Sequence, residues 1–387
     1  MKVAFVGDFI NHGKFLVPTG TSLVLLLSKV SDMEAIDVYC PFLNKDIETF
    51  KEPVNVNIIE SYNYDDPISI LNLYKIRKKH YDKIIFNIMP TAFGNRSLAN
   101  LMGLLIPLTL GIFFRKKNIE IIYQNSVYTN DISKLGYNSL YDKFRSIILS
   151  IIEKIIFKSV KTFVFLEYYK DKITKKIGKN RIRVLNARYL EAITTIYLNG
   201  IYDYYSLPRS VNNKLPQVLM HGYWGPQKNI ELGLEVLTEL RNQGILFELT
   251  ISGSINKHFN EYEREFSLLL GRYNKIIKNY EGYIEQIDIM NLFMNADLLI
   301  LPYNAPGGRS AVLEQAIFFE VPTIVIDFEE FREQSKGVGF IKLVDSRDGI
   351  KFATKEILSN TSLKQNKELK IKEKLKQAVY NIQEILK

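Results

Sequence analysis

A single cysteine, Cys40, stands in 387 residues, so the chain closes no internal disulfide and builds no multi-cysteine metal site. So little cysteine fits a reducing, cytoplasmic setting. Histidine is almost as scarce: His12, His80, His221 and His258 are scattered without metal-ligand spacing, and no bound metal is expected. Neither GxGxxG nor GxxxxGK[ST] occurs, which leaves an NAD site unsupported and excludes a P-loop ATPase. No interleaving of basic and aromatic residues marks a nucleic-acid groove. The opening MKVAFVGDF lacks the apolar region and small-residue cleavage site of a signal peptide and reads as a short strand. The longest apolar run, Leu98–Phe114, has 17 residues, ahead of Arg115, Lys116 and Lys117. It lies near the lower limit for a membrane span and is interrupted by Gly103, Pro107 and Gly111, so it reads as a buried helix between strands.

What is present is ordinary for a globular protein: 47% hydrophobic and 24% charged residues. The length implies two domains. A net charge of +9 favours anionic partners such as a nucleotide phosphate or an acidic lipid surface. Buried-strand patterns recur at Val3–Val6, Ala35–Tyr39, Val56–Ile59, Ile84–Ile88, Ile119–Tyr123 and Thr162–Leu166. They recur again at Gln217–Met220, Leu246–Ile251, Ile276–Asn279, Ala296–Leu301, Thr323–Ile326 and Phe340–Leu343. Helical patterns separate them, so the expected class is α/β, with two doubly wound Rossmann-like domains facing across a cleft. The boundary is placed in Asn199–Leu215, giving domains of residues 1–205 and 214–365 and a terminal helix at 366–387 packing across the junction.

Lys143–Lys161 forms a basic amphipathic helix. Phe144, Ile147, Ile148, Ile151, Ile152, Ile155 and Ile156 make one apolar stripe, and its lysines and Arg145 outnumber the acid Glu153. Such a helix either covers a core or lies on an anionic membrane.

Three loops carry candidate chemistry. In Leu301–Asp327 a strand runs into Gly307-Gly308-Arg309-Ser310, which opens a helix with Glu314 in its first turns. Glycines let backbone approach a phosphate, free N–H groups point at it, Arg309 adds charge, and Glu314 can accept from ribose hydroxyls. In His221–Asn229, Lys228 stands beside the start of the helix Ile230–Asn242 as a second phosphate handle, and Trp224 either stacks on a base or sugar or packs inside. In the first half, Gly7-Asp8 and Pro18-Thr19-Gly20-Thr21-Ser22 follow the first strand and lead into a helix at Leu23–Val30.

With these loops placed, the whole chain resembles the GT-B glycosyltransferases, particularly the large retaining group of family 4-like enzymes. VLMHGYWGPQKNIELGLEVLTEL, LTISGS, YEGYIEQIDIMNLFMNADLLILPY and GGRSAVLEQAIFFEVPTIV carry the likeness. The resemblance implies a hexosyl or related glycosyltransferase, with no cofactor beyond a nucleotide-diphosphate sugar as donor substrate. In that picture Glu314 takes the ribose. Lys228 and the amides of Ser310, Ala311 and Val312 take the diphosphate, with Gly307, Gly308, Gly222 and Trp224 in the same donor loops. Gly20 and Thr21 face the diphosphate or sugar from the first domain. The basic amphipathic helix at Lys143–Lys161 points to an acceptor that is lipid-linked or a polysaccharide at the cytoplasmic membrane face. Three positions depart from the pattern. The first acid of the Glu-x7-Glu pair is replaced by Pro306, Tyr223 follows Gly222 where arginine is common, and Asn125 stands where a histidine often follows a strand. Lys228, Arg309 and Asn125 are therefore the residues expected to act on the reacting groups. The missing acid also motivates an alternative, a non-catalytic GT-B subunit that binds a partner transferase or a glycan.

Overall fold

The computed structural model describes residues 1–7, 19–42, 53–89, 92–93, 97–112, 118–129, 139–204, 206–208, 215–256, 259–359 and 368–387. The chain divides into two compact units. One runs to Thr194 and takes in Lys376–Lys387, and the other is centred on Thr195–Leu375. Asp8, His12, Pro18 and His258 lie outside the described residues, as does part of the expected boundary segment.

The first unit is built on a parallel sheet of β1 (Lys2–Val6), β2 (Ala35–Pro41), β3 (Val56–Tyr62), β4 (Lys83–Ile88), β5 (Ile119–Tyr123), β6 (Lys161–Val164) and β7 (Ile182–Val184), in spatial order β3-β2-β1-β4-β5-β6-β7. The second carries β8 (Leu207–Pro208), β9 (Gln217–His221), β10 (Glu248–Ser252), β11 (Ile277–Glu281), β12 (Leu298–Leu301), β13 (Thr323–Ile326), β14 (Ile341–Val344) and β15 (Glu368–Leu369). Six of these form a second parallel sheet in the order β11-β10-β9-β12-β13-β14, while β8 and β15 make a small antiparallel pair. Both sheets are doubly wound, reversing direction beside their first strand, as the alternating pattern predicts.

The strands form where the apolar runs predict because helices cover both sheet faces, so a central strand needs no polar alternation. All four residues of β12 are buried, as are Val3, Ala4, Phe5 and Val6 of β1. The three-residue β7 was not predicted, since Ile182-Arg183-Val184 is too short and too charged to stand out. The first helix occupies Thr19–Ser28 and so begins earlier than Leu23–Val30.

Leu98–Phe114 becomes the helix Ser97–Ile112, whose Ala99, Leu104, Ile106, Leu108 and Leu110 are core residues. No helix among the described residues is long and apolar enough to cross a membrane. The terminal helix Ile371–Ile382 packs through Ile371, Ala378 and Ile382. Its Lys374, buried, donates to the Phe318 carbonyl at 2.5 Å and to Glu320 Oε1 at 2.7 Å. A cation there complements the carbonyl end of the helix Ala311–Phe319.

Candidate functional site

In a doubly wound sheet the loops leaving the two strands at the reversal point diverge and leave a crevice at the strands' carboxyl ends. In the second unit those strands are β9 and β12. Their loops, Gly222–Asn229 and Pro302–Ser310, meet there: the Asn304 amide donates to the Gln227 carbonyl at 3.1 Å. Lys228 Nζ stands 3.7 Å from the centre of the Tyr303 ring. The partner of this lysine is thus an aromatic face, which positions its charge without cancelling it. Tyr303 itself is 2% exposed, and its hydroxyl has no hydrogen-bond partner among the described residues. A Cβ added at Gly222 would stand 3.9 Å from that hydroxyl.

The helix Ala311–Phe319 opens on the same crevice. Ser310 is its N-cap, its hydroxyl accepting from the Leu313 amide at 3.2 Å. The Ser310 amide donates to Gln334 Oε1 at 2.9 Å, so it is already engaged and unavailable to a diphosphate in this conformation. The amides of Ala311 and Val312 have no acceptor among the described residues and remain for an anion. Gly308 holds φ at +112°, a conformation that glycine tolerates and other residues do not, and so turns the loop into the helix.

Glu314 is 4% exposed. Its Oε1 accepts from Gln334 Nε2 at 3.2 Å and lies 3.7 Å from Arg309 Nη1, both side chains being buried. Arg309 and Glu314, assigned separately to phosphate and ribose, are therefore an ion pair with each other. The arginine serves first to hold the carboxylate in its buried place. Gln334 fastens the arrangement, since it also donates to the Ser310 carbonyl at 3.2 Å. Nothing in the sequence pointed to Gln334, which sits on a separate short helix, Glu329–Gln334.

The floor of the crevice is histidine and glycine. His221 ends β9 and shares a 2.8 Å hydrogen bond with Ser252 Oγ at the end of β10. Burial, opposed by hydrogen bonding at Ser252 and aided by the Lys228 charge, lowers its pKa from the usual 6.5 to about 4. It is a neutral imidazole at physiological pH. Gly253 has φ +108°, and a Cβ there would lie 1.8 Å from the Gly222 carbonyl oxygen. The two strand ends can approach this closely only because residue 253 has no side chain. Trp224 is a core residue, 1% exposed, with its ring 5.7 Å from that of Phe266 and its Nε1 donating to the Ser252 carbonyl at 3.1 Å. The packing alternative holds for Trp224, and its ring offers no stacking surface here. Gly307 is exposed in the loop and Pro306 half-buried.

In the first unit, Gly20 and Thr21 are buried in the first turn of the helix Thr19–Ser28. Thr19 Oγ1 donates to Glu191 Oε1 at 3.3 Å, and Ser22 Oγ lies 2.8 Å from Thr194 Oγ1, which pin that helix to Leu190–Thr194. Asn125 is half-buried just after β5. Its loop is held from beneath by Glu153, the acid of the basic helix, which is wholly buried. Glu153 accepts from Tyr123 Oη at 2.9 Å, from Ser126 Oγ at 2.5 Å and from the Val127 amide at 3.2 Å. Burial outweighs these bonds and raises its pKa to about 7. Position 153 lies four residues after Leu149 and three before Ile156, so the helix places it on the same side as these core residues.

No protein-family model and no curated protein sequence matches this chain. Solved structures do. Sucrose-phosphate synthase from Thermosynechococcus elongatus superposes with a TM-score of 0.64 at 13% identity, covering 99% of this chain and 94% of that one. Anabaena HepE, crystallised with UDP and glucose, gives 0.59 at 11% identity over 100% and 98% of the two chains. The UDP-forming α,α-trehalose-phosphate synthase of Burkholderia vietnamiensis gives 0.59 at 8% over 100% and 96%. Together with the two doubly wound parallel sheets, this full-length likeness shows that the chain has the GT-B fold.

Proposed function

We propose that the chain is a glycosyltransferase that moves a hexosyl or related sugar from a nucleotide-diphosphate donor to a lipid-linked or polysaccharide acceptor at the cytoplasmic face of a membrane. The reaction proceeds with retention and without a metal. The supporting observation is the crevice of the second unit. There Lys228, held on an aromatic face, and the two unengaged amides of Ala311 and Val312 meet buried Glu314 at one reversal point. A cation and two oriented N–H groups are what a departing nucleotide diphosphate needs, because charge develops on it as the glycosidic bond breaks. Glu314 accepts from ribose hydroxyls once the donor is seated. HepE was crystallised with UDP and glucose, and the E. coli trehalose-6-phosphate protein with UDP-2-fluoro glucose, which makes uridine the first base to test.

The test is a thermal-shift screen with UDP-, GDP-, ADP-, CDP- and TDP-sugars. A donor at a hundred times its Kd stabilises by about 2.7 kcal/mol, and Glu314→Ala or Lys228→Ala should remove most of that gain. Absence of a shift with every donor, or equal shifts in both variants, would sink the proposal. Pro306 in place of an acid supports the second reading, a non-catalytic GT-B subunit. Donor binding with neither transfer to any acceptor nor hydrolysis of the donor would favour that reading.

A further inference from the structure

We propose that the exposed face of the helix Leu140–Ser159 is a docking surface for an anionic lipid membrane. Leu140, Phe144, Ile147, Ile151 and Ile155 are 85%, 64%, 59%, 56% and 45% exposed. Their spacing of three and four residues aligns them along one side of the helix for ~22 Å. Leu149, Ile152, Ile156 and Phe157, on the other side, are buried in the core of the first unit. The helix is therefore apolar on both sides, whereas a helix between core and water needs only one apolar face.

Charge indicates what covers the second face. Lys143, Lys154 and Lys158 are exposed alongside the stripe. The helix has two acids, and both are withdrawn from that side. Asp142 closes a capping box with Ser139, accepting from its amide at 3.2 Å and its hydroxyl at 2.6 Å. Glu153 is fully buried. Among the described residues of the helix, the outer face is thus aliphatic, aromatic and cationic with no acid. That combination matches a bilayer whose acyl chains take the apolar stripe and whose phosphates take the lysines. Another protein core would leave three lysines uncompensated, and a second copy of this face would set lysine against lysine. With no membrane-crossing helix among the described residues, the element lies in the interface plane.

This inference extends the acceptor side of the proposed function, but it is read without any sugar donor, so the two can fail separately. The full chain is centrifuged with vesicles of phosphatidylglycerol and phosphatidylcholine, and with phosphatidylcholine alone. Anionic vesicles should bind the protein. Each of Ile147→Ser and Ile151→Ser should weaken binding about tenfold. Each lysine neutralised among Lys143→Gln, Lys154→Gln and Lys158→Gln should weaken it about fivefold at low salt, and less as salt rises. Phe144→Trp should report contact by a blue shift of its emission. Because these side chains are exposed, melting temperatures should stay unchanged, which separates lost docking from lost folding. Equal binding to both vesicle types, or undiminished binding by the Ile147→Ser, Ile151→Ser variant, overturns the proposal. So does a wild-type dimer that ignores vesicles and dissociates in that variant, since a second copy would then be the occupant.

Discussion

Replacing Glu153 by glutamine should change how the first unit's stability depends on pH. Glu153 is fully buried beneath the loop after β5, and its pKa is raised from the usual 4.5 to about 7. The dominant cause is burial, opposed by hydrogen bonds from Ser126, Tyr123 and the Val127 amide. A shift of that size corresponds to about 3 kcal/mol. Its sign follows from proton counting. Between pH 4.5 and about 7 the folded chain holds a proton on this carboxyl that the unfolded chain has released. Stability therefore falls as pH rises through this window. The contribution is fully present below 4.5 and lost above about 7, where the folded chain must bury a charge. Glutamine can still accept from these donors but does not titrate. The stability of wild type minus that of Glu153→Gln should thus drop by about 3 kcal/mol between pH 4.5 and 8. Urea unfolding followed by far-ultraviolet circular dichroism measures the difference. Emission of the sole tryptophan, Trp224, reports the second unit and serves as an internal reference. Parallel pH profiles for the two proteins would refute the reasoning, because they would mean that Glu153 is solvated or permanently charged.

Three further outcomes are expected. His221, lowered to about 4, should show no imidazole titration near pH 6.5 by NMR, and the stability its neutral form contributes should be lost as pH falls toward 4; a midpoint near 6.5 would contradict its burial. Gly253→Ala should cost at least about 3 kcal/mol in chemical unfolding, since the new Cβ meets the Gly222 carbonyl oxygen and the residue's φ is positive; a near-neutral effect would show that the two strand ends can separate. Gln334→Ala should cost about 1–3 kcal/mol by removing its bonds to Ser310 and Glu314, and it should weaken donor binding measured by calorimetry about tenfold; unchanged affinity would mean that Glu314 keeps its place without Gln334.

The strands could be read from the chain because a parallel strand covered on both faces is a continuous apolar run, as in Leu298–Leu301. The helix Ile230–Asn242 could be read from its inner stripe and its terminal Gly244, and its bounds agree. Ser310 as a helix opener could be read from local turn chemistry alone. Gln334 could not, because it reaches Ser310 across 24 residues and from a different helix. Arg309 and Glu314 are close in sequence, yet their pairing depends on how the Gly308 turn aims the guanidinium. Residue type alone could not place Glu153 or Trp224. An indole in a loop either packs inside or stacks on a ligand, and a carboxylate is most often solvated; here each is used inside the protein.

Local patterning thus carried the alternation of strand and helix, the α/β class and the positions of the two loops that meet at the crevice, since these depend on the backbone and its nearest neighbours in sequence. Which side chains end up partnered was a matter of packing. Hydrogen bonds and ion pairs act over about 3–4 Å, and only the folded chain brings Gln334 to Ser310, Lys228 to Tyr303 or Glu153 to Val127 at that range.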